Sequence, residues 1–190
     1  MNEELLNEIK GMLPWVLVAA LAVGGYYGVK NYRATQRAAA SEALVASSTT
    51  DDFAEAVSKF GKSDAAGALK LQLAKKYFDD GRYEESASLY DELIAAVPEG
   101  YDGIPQVGRA MCLEAQGKLA EAEAAFVAFA EANPESYLFL TAKLGAFRTM
   151  ALSGRKDDAL KGLGELKTSL GDDELAKARV TQLEEFVKRC

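Results

Sequence analysis

An internal repeat in the middle of the chain constrains its fold more than any other feature. Residues 81–98 read GRYEESASLYDELIAAVP and residues 117–134 read GKLAEAEAAFVAFAEANP, so a bounding glycine and a bounding proline each recur after 36 residues. A weaker third copy, GRKDDALKGLGELKTSLG, begins at Gly154. A period of roughly 20–50 residues is typical of solenoids, in which each unit buries its apolar face against its neighbours.

The spacing within each copy predicts two packed helices, A and B. The leading glycine permits a sharp turn between them. A small residue follows, which lets the helices touch closely, and a large residue four positions later fills the gap to the next repeat. The small residues are Ser86, Ala122 and Ala159, and the large residues are Tyr90, Phe126 and Leu163. The proline that closes the first two copies would stop helix B.

These positions resemble the tetratricopeptide repeat family over about residues 64–171. The family's small and large positions in helix A are filled by Ala74 with Tyr77 and by Ala110 with Leu113, whereas the third copy fits poorly. The family's tryptophan position departs from the pattern in all three copies, at Lys70, Gln106 and Lys143. The resemblance implies an all-α solenoid of about three helix pairs, at about 64–98, 101–134 and 137–171.

The segment that follows the repeats predicts one more helix. Ala176, Val180, Leu183 and Val187 recur at steps of four, three and four residues. This is the spacing of one helix face. We therefore expect residues 172–189 to form a C-terminal capping helix that covers the open end of the solenoid.

The resemblance also implies a partner-binding groove on the concave side, lined by helix A of each pair. The predicted groove residues are Leu71, Lys75, Phe78, Ile104, Val107, Met111, Leu144 and Arg148. This apolar surface with two basic side chains suits a helical or extended segment of a partner protein. The same side chains could instead pack against residues 30–60 or against the C-terminal helix, and the sequence leaves both possibilities open.

Near the N-terminus, nineteen residues (11–29) pass without a charged side chain. As a helix they would extend about 28 Å, close to the hydrocarbon thickness of a bilayer. Trp15 lies near one end and Tyr26 and Tyr27 near the other, where aromatic rings favour the membrane interface. The sequence predicts a transmembrane helix here, between a short tail (1–10) and a juxtamembrane helical segment (30–63). A cleaved signal peptide and a buried core helix are the alternatives.

Two features of this segment bear on packing and orientation. Ala20, Gly24 and Gly28 recur every four residues, which predicts a close-packing face for a second membrane helix. Lys10 precedes the segment, whereas Lys30, Arg33 and Arg37 follow it, and this count of cations favours a cytoplasmic repeat region.

Composition argues against catalysis and nucleic-acid binding. The chain has no histidine, the commonest general base and metal ligand, and its two cysteines have no metal-binding spacing. Its net charge of −7 disfavours binding to nucleic acid. We therefore predict no enzyme activity, no cofactor, no metal and no nucleic-acid partner. Cys112 is expected to be a small core residue and Cys190 a free thiol, although a bond between them stays open.

The layout of the whole chain is similar to the bacterial YfgM family, the ancillary subunit of the Sec translocon. The resemblance implies a single-pass inner-membrane protein whose periplasmic body binds other proteins as a chaperone-like adaptor beside the translocation channel. This orientation opposes the count of cations, so the topology stays open. The alternative is a structural scaffold subunit of an envelope, secretion or pilus assembly.

Overall fold

The computed structural model describes residues 3–61, 63, 66–96 and 100–190, with side chains from residue 15 onward except at 16, 17, 19 and 100. Its regular elements are helices: α1 (Glu3–Ala46), α2 (Thr50–Phe60), α3 (Ala66–Asp79), α4 (Tyr83–Ala96), a 3₁₀ turn (Gly100–Gly103), α5 (Ile104–Ala115), α6 (Leu119–Ala132), α7 (Phe139–Leu152), α8 (Lys156–Ser169) and α9 (Glu174–Arg189). Two compact units are described separately below, an N-terminal unit (residues 1–69) and a repeat domain (residues 70–190).

Helix α1 is longer than the sequence analysis predicts. It begins at Glu3 and runs to Ala46, so it joins the predicted tail, the predicted transmembrane segment and part of the predicted juxtamembrane segment. The predicted boundaries after residues 10 and 29 are therefore not helix ends, and the membrane segment between them stays a prediction. Charged side chains mark where a helix can leave a bilayer, but Glu, Lys and Arg are good helix formers and do not end a helix.

The apolar part of α1 is exposed wherever its side chains are described. Residues 20–35 are exposed on every side of the helix. The predicted transmembrane helix at 11–29 lies partly outside the described side chains, at residues 11–14, 16, 17 and 19. Among the residues that could be assessed, the structure holds no helix with both the length and the apolar character that crossing a membrane requires.

Helix α2 packs on α1 and begins with a capping box. The Thr49 hydroxyl accepts a hydrogen bond from the Asp52 amide at 3.2 Å. The Asp52 carboxylate accepts one from the Thr49 amide at 2.9 Å in return. Two amides that have no partner within the helix are thereby satisfied. Phe53, Ala56 and Phe60 form the buried face of this helix.

The repeat domain consists of helix pairs joined by glycine turns. Gly81, Gly117 and Gly154 connect the two helices of successive pairs at φ angles of 76°, 76° and 91°. Side chains with a Cβ rarely adopt these left-handed angles, which explains why glycine recurs there. The predicted helix pairs α3–α4, α5–α6 and α7–α8 are confirmed.

Successive pairs fit together through a ring on helix B and a glycine on the next helix A. A Cβ added to Gly108 would lie 2.5 Å from the Tyr90 ring, and a Cβ added to Gly145 would lie 2.7 Å from the Phe126 ring. The rings therefore occupy the space that a larger residue would need. Their predicted role as fillers between repeats is confirmed, and the small residues Ser86, Ala122 and Ala159 are fully buried.

Helix α9 closes the far end of the repeat domain. Val180, Leu183 and Val187 join one core cluster with Leu163 and Leu166 of α8. Asp173 caps the helix by accepting a hydrogen bond from the Ala176 amide at 2.9 Å. The predicted capping helix is therefore confirmed, and the apolar face of the last repeat is covered.

Candidate partner-binding surface

The predicted groove residues of the first two pairs lie mostly against the core. Leu71 and Phe78 are half-buried and pack beside the cluster that contains Tyr90. Val107 is only 4% exposed and belongs to the next cluster, which contains Phe126, and Met111 packs against that cluster. These side chains mainly join one helix pair to the next.

Lys75 and Ile104 are two further members of the predicted groove. Lys75 is exposed and forms an ion pair with Asp79 on its own helix, at 2.6 Å. Ile104 is half-buried at the first position of α5. Neither of them lines the two cavities of the repeat domain that are described below.

The remaining two predicted groove residues, Leu144 and Arg148, line a cavity of about 350 Å³ between α7 and α9. Its other lining residues are Arg179, Gln182, Leu183 and Phe186. Leu144 and Leu183 are 8% and 9% exposed, whereas Phe186 is 38% exposed. We call this site the α7–α9 pocket. It combines an apolar surface with basic and amide groups, as sites for partner segments do.

Arg148 is committed to a contact between helix pairs. Its guanidinium donates from Nη2 to Oε2 of Glu114 at 2.5 Å and from Nε to Oε1 of the same carboxylate. These hydrogen bonds hold the pKa of Arg148 above its already high ordinary value, against the effect of burial. Arg148 therefore stays charged but is neutralised by Glu114, so it supports the pocket wall more than it attracts an anion.

Arg179 differs from Arg148 because no described carboxylate neutralises its charge. Its Nη2 donates to the Thr141 hydroxyl at 3.1 Å. Within the described residues, no carboxylate forms an ion pair with it. A positive charge beside the exposed Phe186 ring suits a partner segment that carries an acidic and an apolar side chain. Family-based reasoning missed both residues because they lie on the capping helix rather than on a helix A.

A larger cavity, of about 970 Å³, lies between α4, α5, α6 and the loop after α6. Ala125, Ala128 and Ala132 line it from one face of α6, and the exposed Tyr137 lies at its border. No predicted groove residue lies at this site, although the spacing of the alanines along α6 was a signal for it. Arg109, which also lines it, is paired with Asp91.

The cysteines are separate and play different roles. Cys112 is fully buried, and its thiol donates a hydrogen bond to the Ser86 hydroxyl at 3.2 Å. Burial raises the pKa of the Cys112 thiol, which lowers its reactivity. Cys190 is exposed, and both thiols are free. The prediction that Cys112 is a core residue is confirmed.

The predicted transmembrane packing face is exposed in the N-terminal unit. Ala20, Gly24 and Gly28 are exposed, and a Cβ added to either glycine would meet no atom within 4 Å. The described residues therefore provide no partner for this face, and its role in docking stays a prediction. No group of three or more potential metal ligands occurs among the described residues.

Comparisons with known proteins identify the fold. No family model matches the chain, and no curated protein matches it. Two solved structures are similar, both of nearly identical TPR-like repeats of a kinesin light chain-like protein from Podosopora anserina, one of them a single-substitution variant. The TM-scores are 0.63 for the variant and 0.61 for the other, each at 13% identity over 82% of this chain and 84% of the other. The chain therefore has the fold of tetratricopeptide-like repeats.

Proposed function

We propose that this protein is a membrane-anchored, non-catalytic adaptor that binds a segment of a partner protein in the α7–α9 pocket. The observation that carries the proposal is the pairing of an exposed aromatic ring, Phe186, with a cation that has no carboxylate partner in the described chain, Arg179. Aromatic and arginine side chains dominate the energetics of protein interfaces.

The pocket suits a partner better than the rest of the predicted groove does. Val107 and Met111 support the contacts between helix pairs, so a partner would gain little by displacing them. In the α7–α9 pocket, Leu144 and Leu183 form a buried apolar floor, and Phe186 stands partly free beside it. An apolar side chain of the partner could cover this floor while an adjacent carboxylate meets Arg179.

The anchor is the second part of the proposal. Helix α1 exposes Trp15, Leu21 and Val29 to the surroundings at 54–76% of their full area. A helix that is apolar on all sides requires lipid or another protein around it. We assign this role to residues 11–29 and propose a single pass through a bacterial inner membrane, with Ala20, Gly24 and Gly28 facing a membrane partner.

The resemblance to the YfgM family supports a more specific role. On this proposal the repeat domain lies in the periplasm beside the Sec translocon, where it assists newly exported chains. A scaffold subunit of an envelope assembly would use the same fold in a permanent complex. Recovery of a stoichiometric complex after detergent extraction would favour the scaffold over a transient translocon helper.

Partner binding is tested with a photo-crosslinking amino acid at Gln182, an exposed residue that lines the pocket. The matched control carries the same amino acid at Glu165, an exposed residue of α8 that is not part of the pocket. We expect a discrete adduct from position 182 that disappears when Arg179→Glu and Phe186→Ala are added. Equal adducts from both positions would contradict the proposed site.

The same variants must remain folded for that result to be interpreted. Arg179 and Phe186 are exposed, so their replacement should leave the melting temperature within a few degrees of the parent value. If the adduct disappears together with a large fall in melting temperature, the two side chains stabilise the fold and the pocket is not a binding site.

Topology is tested by labelling Cys190, which is exposed, with a membrane-impermeant maleimide in spheroplasts before and after lysis. The burial of Cys112 makes it a poor target, and a Cys190→Ser variant verifies that it stays unlabelled. Labelling before lysis supports the periplasmic proposal. Labelling only after lysis would favour the cytoplasmic orientation that the cation count predicts and would contradict the translocon role.

A further inference from the structure

A row of exposed cations follows the apolar part of helix α1. Lys30, Arg33 and Arg37 are all exposed. Their spacing of three and four residues places them on one side of the helix. We call these three residues the basic stripe. They line the same open groove along α1, which has a volume of about 730 Å³.

No described side chain neutralises the charges of the basic stripe. Within the described side chains, none of the three charged groups has an ion-pair or hydrogen-bond partner. No acidic residue occurs between Glu8 and Glu42 in the sequence. Many cations of the repeat domain are instead paired with carboxylates, for example Lys70 with Glu92 at 2.6 Å and Lys167 with Glu184 at 2.9 Å.

The position of the basic stripe along α1 suits the polar headgroup layer of a bilayer. Lys30 directly follows Val29, the last residue of the uncharged segment. Along an α-helix, Lys30 and Arg37 are separated by about 10 Å, which spans and slightly exceeds the roughly 5–8 Å polar layer on one side of a bilayer. Tyr26 and Tyr32, which are 65% and 66% exposed, lie on either side of Lys30, and tyrosine favours this interfacial region.

We propose that the basic stripe binds the headgroups of anionic phospholipids. This inference rests on the membrane attachment proposed above and adds the class of lipid that the protein selects. Charge complementarity favours lipid over nucleic acid, because the stripe has three cations whereas the chain as a whole carries a net charge of −7. Lys30, Arg33 and Arg37 would hold the phosphates, and the tyrosines would lie among the headgroups.

The test reconstitutes the full chain in nanodiscs that contain equal amounts of phosphatidylglycerol and phosphatidylcholine. Native mass spectrometry then measures the ratio of the two lipids that remain bound to the protein. We expect phosphatidylglycerol to be enriched at least about fivefold, which corresponds to roughly one basic residue acting at an anionic surface. The enrichment should fall to about onefold in Lys30→Gln/Arg33→Gln/Arg37→Gln.

A matched control removes the same charge elsewhere. Lys118→Gln/Lys156→Gln/Lys161→Gln replaces three cations of the repeat domain that form no ion pair within the described chain. This control should retain the full enrichment. An equal loss in the control would overturn the proposal, because it would show that net charge and not the stripe selects the lipid. Circular dichroism of all variants verifies that the helices remain formed.

The outcomes separate the stripe from the anchor. Retention of both lipids without preference would overturn the proposal that the basic stripe selects anionic lipid, and it would leave the membrane anchor supported. Retention of neither lipid would overturn both. If the stripe variant also loses binding to a single-stranded oligonucleotide that the parent chain binds, and lipid preference is absent, the stripe recognises nucleic acid and the proposal is wrong.

Discussion

The thiol of Cys112 on α5 donates a hydrogen bond to the hydroxyl of Ser86 on α4, across the boundary between the first two helix pairs. Ser86 in turn donates to the Ala74 carbonyl on α3 at 2.7 Å. Three helices are therefore joined by two hydrogen bonds at a fully buried position. The equivalent small residues of the later pairs, Ala122 and Ala159, carry no hydroxyl, so this link is specific to the first boundary.

We expect the packing at Ser86 to matter more than its hydrogen bonds. Ser86→Ala should lower the free energy of unfolding by about 1 kcal/mol or less, because the Ala74 carbonyl keeps its helical partner. Ser86→Leu should lower the free energy of unfolding by about 1–3 kcal/mol or more, because no space exists for the larger side chain. Urea unfolding measures both values.

A change at the next pair serves as the control for Ser86. Ala110 precedes Ala122 by twelve residues, as Ala74 precedes Ser86, so Ala122→Ser should find an equivalent carbonyl and cost less than about 1 kcal/mol. If Ser86→Ala proved as costly as Ser86→Leu, the hydroxyl and not the close packing would be decisive.

Two glycines test the role of backbone conformation. An added Cβ meets nothing within 4 Å at either Gly117 or Gly164, but only Gly117 has a positive φ, of 76°. Gly117→Ala should therefore destabilise the protein by about 1–2 kcal/mol. Gly164→Ala, within helix α8, should stabilise it by about 0.5–1 kcal/mol. The melting temperatures of the two variants should shift in opposite directions from the parent value. Shifts in the same direction would contradict the conformational explanation.

The contact between Gly145 and Phe126 predicts an energetic coupling. Gly145→Ala would place a Cβ 2.7–2.8 Å from three atoms of the buried Phe126 ring, and such overpacking costs about 1–3 kcal/mol. Phe126→Leu should relieve the clash. The double variant should therefore lose about 1 kcal/mol less unfolding free energy than the sum of the losses in the two single variants. The measurement is a double-mutant cycle by denaturant unfolding.

The control cycle combines Gly145→Ala with Leu93→Ala, because Leu93 belongs to a different core cluster. Those two changes should be additive within about 0.5 kcal/mol. Coupling of similar size in both cycles would indicate a general loosening of the repeat domain in place of a direct contact.

The capping box of α2 predicts a dependence on acid pH. Hydrogen bonds from the Thr49 and Ser48 amides lower the pKa of the Asp52 carboxyl from 3.8 to about 2. A lowered pKa in the folded state means that the carboxylate stabilises the fold above its unfolded pKa and loses this effect as the pH falls through the folded pKa. The contribution should therefore be complete above about pH 4 and lost towards pH 2.

Nuclear magnetic resonance titration of the Asp52 carboxyl measures this pKa directly. Amide exchange in α2 should be faster in Asp52→Ala than in the parent chain at pH 6, and the difference should vanish near the folded pKa. Asp51→Ala serves as the control, since Asp51 does not take part in the capping box, and it should have a smaller effect. A titration midpoint of Asp52 at the ordinary value would contradict this role.

Local spacing was sufficient to predict the repeats. The turn glycine, the small residue and the filler, such as Gly117, Ala122 and Phe126, lie within ten residues of each other, so their roles depend on short-range geometry. The capping box at Thr49 was predictable for the same reason, since its partners are three residues apart.

The α7–α9 pocket could not be predicted, because it forms from residues that are distant in sequence. Val107 and Leu144 occupy similar helix A positions, but Val107 packs in the cluster of α5 and α6 whereas Leu144 also borders a cavity with α9. This difference arises from the residues of α9 that lie beside Leu144. The periodicity of the sequence does not show which residues of α9 lie there. The backbone before α5 was equally unpredictable: Tyr101 and Asp102 adopt φ angles of 61° and 48°, which are unusual for residues with a side chain.

The fit of a ring on one pair into a glycine of the next gives the repeat array a direction. Tyr90 and Phe126 each meet a glycine on the following helix A, but the third pair carries Leu163 at this position and α9 contains no glycine. Growth of the array by duplication could therefore insert a new pair before α7, where ring and glycine would both be supplied. Addition after α8 would require a different terminal helix, so α9 limits the array at its C-terminal end.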